Sequence, residues 1–206
     1  MKVIFKKEDL EQLEQHYRRT FVNSLAGFRQ AVLIGTISSE GNTNLAIFNS
    51  LIHLGANPSL FGLISRPNIV QRDTFQNILQ TKEYTLNYIR APLYEKAHHT
   101  SARYESGISE FEKAGFREIY HPSCSAPFVE DAIVKIAMQF EQTIDIQMNG
   151  AILIIGSVKL IEMDASIIGP DGFVNLSEEN VLISQGLDAY FVSNLIGRLP
   201  YAKPLP

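Results

Sequence analysis

Cysteine is almost absent: Cys124 is the only one. No internal disulfide can form, and the expected compartment is a reducing cytoplasm. Basic residues are never massed. Lys6-Lys7 and Arg18-Arg19 are pairs only, and 18 Lys and Arg against 22 Asp and Glu leave a net charge of −4. That balance argues against a nucleic-acid surface. Long apolar runs are missing too. The longest, residues 151–161, is interrupted by Lys159 and falls short of the ~20 residues a membrane span needs. The N-terminal M-K-V-I-F-K-K-E-D has too short an apolar run for a signal peptide. Metal-ligand spacing is not found: His98 and His99 are adjacent, and His16, His53 and His121 stand alone, so no metal is expected. Repeats, low-complexity tracts and strong linkers are likewise absent.

What is present is ordinary globular material, 45% hydrophobic and 19% charged over 206 residues. A chain of this length buries roughly 70% of its unfolded surface and needs neither disulfide nor metal to hold a core. The expectation is one domain over residues 1–206, with a helical extension at about 1–26 and a tail at about 185–206.

Residues 8–19 carry Leu10, Leu13 and Tyr17 at helical spacing, and Gly27 ends that region. Residues 30–37 read as a strand covered on both faces, because Ala31, Val32, Leu33 and Ile34 are all apolar. Residues 43–52 and 60–65 read as the second and third strands, separated by Asn57-Pro58. A helix is expected over 74–81, with Thr74 as its N-cap and Phe75, Ile78 and Leu79 on one face. A strand follows over 83–89. Residues 91–125 read as a surface excursion with short helices near 92–99 and 109–114; Tyr94, Tyr104 and the hydroxyl residues near 100 read as ordinary surface loop, with a lid over a bound ligand as the alternative. The clearest alternation lies in Val134, Ile136, Met138, Phe140, Ile144, Ile146 and Met148, with mostly polar residues between. Gln142 interrupts this row and marks a bulge or bend. Asn149-Gly150 is a two-residue hairpin signal, returning into residues 151–161. A long bent hairpin among many strands argues for a closed antiparallel barrel. Gly169-Pro170-Asp171-Gly172 is a turn, and residues 185–198 are open between helix and extended chain.

The chemistry concentrates between Asn44 and Asn77. The sequence there runs N-L-A-I-F-N-S, then L-F-G-L-I-S-R-P, then R-D-T-F-Q-N-I. Arg66 and Arg72 are permanently charged, planar donors suited to phosphate oxygens. Thr74 adds a hydroxyl at a helix N-terminus, where free N–H groups favour anions. A phosphate monoester fits this combination, with Asp73 expected to turn away and pair with an arginine. In the preceding strand Asn44, Ala46, Phe48 and Ser50 share one face and Leu45, Ile47, Asn49 and Leu51 the other. Polar groups on both faces suit either a flat heterocycle or the satisfaction of backbone groups at a bend. Cys124 has no neighbouring base pattern and reads as incidental. Glu110 and Glu112 are too scattered to form a catalytic carboxylate pair. His53, three residues past Ser50, reads as a packed or exposed histidine, with a place at the border of the ligand site as the alternative.

These segments, with Glu110-Phe111, Ala126-Pro127, Asn149-Gly150, Gly186-Leu187-Asp188-x-Tyr190 and Tyr201-Ala202-Lys203-Pro204, resemble the flavin reductase-like family over about residues 25–205. The resemblance implies a mainly β, antiparallel split β-barrel with peripheral helices, usually a homodimer. It also implies noncovalent FMN at the subunit interface. Asn44, Asn49 and Ser50, with backbone of Leu45, Ala46 and Phe48, would meet the isoalloxazine or ribityl chain. Ser65, Arg66, Arg72 and Thr74 would hold the phosphate, and residues 186–190 would approach the site, with the neighbouring subunit as one source. Ile47 departs from the proline frequent in the family. Members move hydride from NADH or NADPH to flavin, or pass electrons to a partner such as an acceptor protein or free flavin. The transfer needs no protein acid or nucleophile, so no catalytic side chain is expected. Without a glycine-rich dinucleotide fingerprint, a nicotinamide would bind transiently over the flavin face. Two other readings remain: a non-enzymatic FMN electron carrier, and a split barrel that binds a ligand without flavin. Removing Arg66 should weaken FMN more than riboflavin, by about 1.5–3 kcal/mol.

Overall fold

A computed structural model describes residues 1–67, 72–105 and 107–204, so the last two residues of the expected tail lie outside the described residues. Two helices open the chain, α1 (Lys7–Gln12) and α2 (Gln15–Leu25). The single helix expected over 8–19 is therefore interrupted. Leu13 is extended, and Glu14 caps α2 by accepting from the Tyr17 N–H at 2.8 Å. Gly27, at φ +72°, ends the region in the left-handed conformation that favours glycine.

The strands that follow are β1 (Phe28–Gln30), β2 (Val32–Ile37), β3 (Thr43–Phe48), β4 (Ile52–Ala56) and β5 (Ser59–Ser65). After helix α3 (Asp73–Thr81) and strand β6 (Glu83–Tyr88) come helices α4 (Tyr94–His99) and α5 (Glu110–Ala114). The chain then forms β7 (Glu118–His121), β8 (Cys124–Val129), β9 (Val134–Ile146), β10 (Ala151–Met163), β11 (Leu182–Gln185) and β12 (Ala189–Val192). Residues 185–198, undecided in sequence, begin as part of the β11–β12 hairpin. β4 is a strand in its own right: β3 stops at Phe48, so the expected continuous strand over 43–52 bends at residues 49–51.

Seven strands pair in the order β3-β2-β6-β9-β10-β5-β4, with a three-stranded sheet β1-β11-β12 and a β7-β8 hairpin beside them. The pairings within these sheets are antiparallel. Among the described residues β3 and β4, the two ends of the large sheet, are not paired with each other. The barrel is split rather than closed by a continuous ladder. Both faces of β2 are covered, as its unbroken apolar run requires. Val32 and Ile34 pack with Leu86, Ile136, Met138, Ile154, Phe75 and Ile78. Ala31 and Leu33 pack with Leu45, Ile89, Phe111, Phe116 and Leu182.

The β9–β10 hairpin carries two register shifts. One inserts Glu141 between Phe140 and Gln142 opposite Gly156 and Ile155, next to the expected break at Gln142. Before it β9 is buried on both faces, Ala137 included; after it residues 141–145 are exposed. The turn is a four-residue loop, 147–150, rather than a two-residue one. Ile146 faces Ala151 directly, and the N–H groups of Asn149 and Gly150 both donate to the Ile146 carbonyl. Among the described residues no helix is long and apolar enough to cross a membrane.

Candidate functional site

The bend after β3 and the N-terminal turn of α3 border a cavity of about 600 Å3, within the range of roughly 300–1,000 Å3 typical of small-molecule and cofactor sites. Asn44, Ala46, Phe48, Asn49, Ser50, Ser65, Arg66, Arg72 and Thr74 all line it. Strict strand alternation would have sent Asn49 and Ser50 to opposite faces. Because β3 ends at Phe48, the chain leaves the pleat and both can face one space.

Leu45 is the exception among the residues expected at the site. Its side chain is fully buried in the core with Phe111 and Leu182. Its N–H donates to the Glu110 carboxylate at 3.1 Å. Both its side chain and its backbone donor are therefore committed to the protein interior.

Several polar residues spend their hydrogen bonds on the wall itself. The Ser50 hydroxyl donates to the Ile64 carbonyl and accepts from the Ile64 N–H, both at 3.1 Å. That joins the bend to β5, which is the backbone-satisfying role. The Asn49 amide donates to the Gly186 carbonyl at 2.7 Å and fastens the β11–β12 turn over the cavity. Leu187 and Tyr190 thus line the site from the same chain. Ser65 donates to the Arg66 carbonyl at 3.3 Å. Asn44 is buried, and with its amide nitrogen toward Glu110 at 3.2 Å its oxygen accepts from Thr74 Oγ1 at 2.9 Å and from the Leu45 N–H at 3.2 Å. Thr74 is therefore not the cap of α3. Arg72 holds the N-cap position without a side-chain cap bond, and the Thr74 hydroxyl is tied to Asn44 one step inside the helix.

The guanidinium groups are what remains available. Arg66 is exposed, whereas Arg72 is partly buried with an Nε that has no partner among the described residues. Burial, then the charges of Arg66 and Arg103, push the Arg72 pKa below its ordinary value. Among the described residues none of these three arginines makes an ion pair. Asp73 does not pair with an arginine either. It lines the same cavity and, after burial, is the charge that raises the Glu110 carboxyl pKa against the lowering effect of the Leu45 N–H.

Glu110 and Arg103 were not legible as site residues. Glu110 stands on α5, which packs on β3, so only the fold brings it to Asn44. Arg103 belongs to segment 100–104, which reads as surface loop but lines the cavity throughout. Arg29 and Ser184 line it as well. His53 does not; it is exposed beside Phe61, with ring centroids 6.0 Å apart. Cys124 is buried, and burial pushes its thiol pKa up, which leaves it an inert core residue.

Three mutually repelling guanidiniums around an open cavity, one with a buried orphan donor, suit an anionic group such as a nucleotide phosphate. A protein of Shewanella frigidimarina NCIMB 400, described as a candidate flavin reductase with a split barrel domain, is 42% identical, with 98% of this chain and 100% of that one covered at a TM-score of 0.93. Nitrilotriacetate monooxygenase component B from Bacillus cereus shares the fold at 17% identity, with 97% and 99% covered and a TM-score of 0.84. An FMN-binding protein from Thermus thermophilus shares it at 15% identity, with 86% and 93% covered and a TM-score of 0.71. The family model of the flavin reductase like domain matches residues 25–174, and this chain belongs to that family.

Proposed function

We propose that the protein is an FMN-dependent oxidoreductase that takes hydride from NADH or NADPH and passes electrons to an acceptor. The observation that carries this is the group formed by Arg66, Arg72 and Arg103. Arg72 is repelled by the other two, none of the three forms an ion pair with a carboxylate among the described residues, and Arg72 carries a buried Nε without a partner among them. These residues would hold the phosphate. Asn44, Thr74 and Glu110 brace the wall behind it, and Ala46, Ile47 and Phe48 offer a largely apolar surface for the ring system. Bound flavin supplies the two-electron chemistry. In this reading the chain's own residues bind, orient and shield, and no side chain is assigned the role of nucleophile.

Two copies are expected to associate. Phe28 and Phe191 stack edge-on with centroids 4.9 Å apart yet both stay exposed, and Ile144 and Met148 are exposed at the end of the long hairpin. The function is tested by loading the protein with FMN and mixing it anaerobically with NADH and NADPH. Bleaching of the flavin band within seconds supports the oxidoreductase. Slow bleaching by both donors favours an electron carrier, and failure to bind added FMN removes the flavin reading.

A further inference from the structure

One wall of the cavity lies on the small sheet and is not used by the phosphate group of arginines. In β1-β11-β12, Arg29 stands directly opposite Ser184, and Ser184 directly opposite Tyr190. Directly opposed residues of antiparallel strands project from the same face. The three therefore form one row across three strands, a cation, a hydroxyl and an aromatic ring, and all three line the cavity. Two of them are unsatisfied. Among the described residues the Ser184 hydroxyl has no hydrogen-bond partner although the residue is only 4% exposed, and Arg29 Nε is buried and unpartnered too. Buried polar groups are paired in the great majority of cases, so an adjacent unpaired couple in a cavity wall calls for a ligand. Tyr190 is already held: its hydroxyl lies 2.9 Å from His98 Nδ1 and its ring packs against Tyr94 and His98, each with centroids 5.8 Å away, which steadies a half-buried ring that still lines the cavity.

We propose that the Arg29–Ser184–Tyr190 row is a second anion subsite, which takes a planar ring bearing a carboxylate or phosphoryl group from the molecule that exchanges electrons with the flavin. Arg29 and Ser184 bind the oxyanion, and Tyr190 stacks on the ring. The proposal rests on the flavin reading for the identity of the reaction, but the subsite itself is a property of this row. Two sources carry the required chemistry, an aromatic carboxylate acceptor and the dinucleotide of the electron donor.

The experiment titrates sodium benzoate and inorganic pyrophosphate separately. One series follows the visible flavin band of the FMN-loaded protein; the other uses calorimetry on the flavin-free protein. In the wild type at least one anion binds. Arg29→Gln weakens it by about tenfold or more, Arg29→Lys by less, and Ser184→Ala removes part of the affinity, while FMN affinity stays unchanged. A response to benzoate identifies an acceptor carboxylate as the source. A response to pyrophosphate alone, with slower bleaching of Arg29→Gln by NADH but not by uncharged N-benzyl-dihydronicotinamide, identifies the donor dinucleotide. The proposal is overturned if neither anion binds the wild type or if both Arg29 variants bind it as the wild type does. It is also overturned if Arg29→Gln weakens FMN itself or changes the sedimenting mass. A protein that ignores FMN but binds an anion through Arg29 discards the flavin reading and keeps this subsite.

Discussion

Replacing Arg72 with alanine separates the phosphate from the rest of the flavin. Arg72 is partly buried, lacks a partner at Nε among the described residues, and is pressed by the charges of Arg66 and Arg103. Its desolvation is already met in the folded protein, so a phosphate gains the full charge-assisted interaction there. Losing a hydrogen bond to a charged group costs about 1.5–3 kcal/mol, or roughly 10- to 150-fold in FMN affinity. Riboflavin has no phosphate and should bind equally well to both proteins. Arg66 is exposed, so its contribution is screened and closer to the roughly 0.2–1 kcal/mol of surface pairs. The larger effect therefore belongs to Arg72, although Arg66 is as prominent in the sequence. The flavin-free variant should not lose stability through charge, because the substitution removes a repelled guanidinium. FMN at a hundredfold excess over the wild-type dissociation constant stabilises by about 2.7 kcal/mol. At that concentration the variant should keep only about 0.3–1.4 kcal/mol. Fluorescence titration with both ligands and thermal melts with and without FMN read these quantities. Equal weakening of FMN and riboflavin, or a large fall in the flavin-free melting temperature, would refute the phosphate assignment.

Three further outcomes follow from the geometry. A Cβ on Gly35 would lie 2.3 Å from the Pro127 carbonyl and 2.5 Å from Thr85 Oγ1, so Gly35→Ala should lower stability by about 1–3 kcal/mol or more; an unchanged urea midpoint would disprove the contact between β2 and β8. Burial raises the Glu110 pKa above 4.5, so the fold holds that proton more tightly than the unfolded chain, and the contribution present below about pH 4.5 is lost as pH rises through the raised value. Glu110→Gln keeps the acceptor for the Leu45 N–H without the charge, and its advantage in melting temperature should grow across that window; parallel pH profiles would sink the idea. Asn49→Ala releases the Gly186 carbonyl and should speed amide exchange at residues 186–190 with a loss of about 1 kcal/mol or less in global stability; unaltered exchange there would show that the turn is held by other contacts.

Much was legible where neighbours along the chain carry the information. The unbroken apolar run of β2 announced a strand covered on both faces, and the alternation in β9 announced the long hairpin. The crowded arginines and hydroxyls between residues 65 and 74 marked one edge of the cavity. Boundaries were less legible where a single tertiary bond decides them. Ser50 bonds to Ile64 just past the end of β3, while Thr74 looks like a cap but is held by Asn44.

The sequence by itself determined that this is an antiparallel β-rich chain of the flavin reductase-like family and that two arginines, Arg66 and Arg72, follow the strand that ends at Ser65. Periodicity and short-range motifs are properties of neighbouring residues, so they survive without coordinates. Only the tertiary structure decided that Leu45 belongs to the core, that Glu110 and Arg103 border the cavity, and that Arg29, Ser184 and Tyr190 stand in one row. Those three lie in strands whose pairing links residue 29 to residue 184. Contacts over such a separation depend on how sheets pair and bend, which no local pattern records.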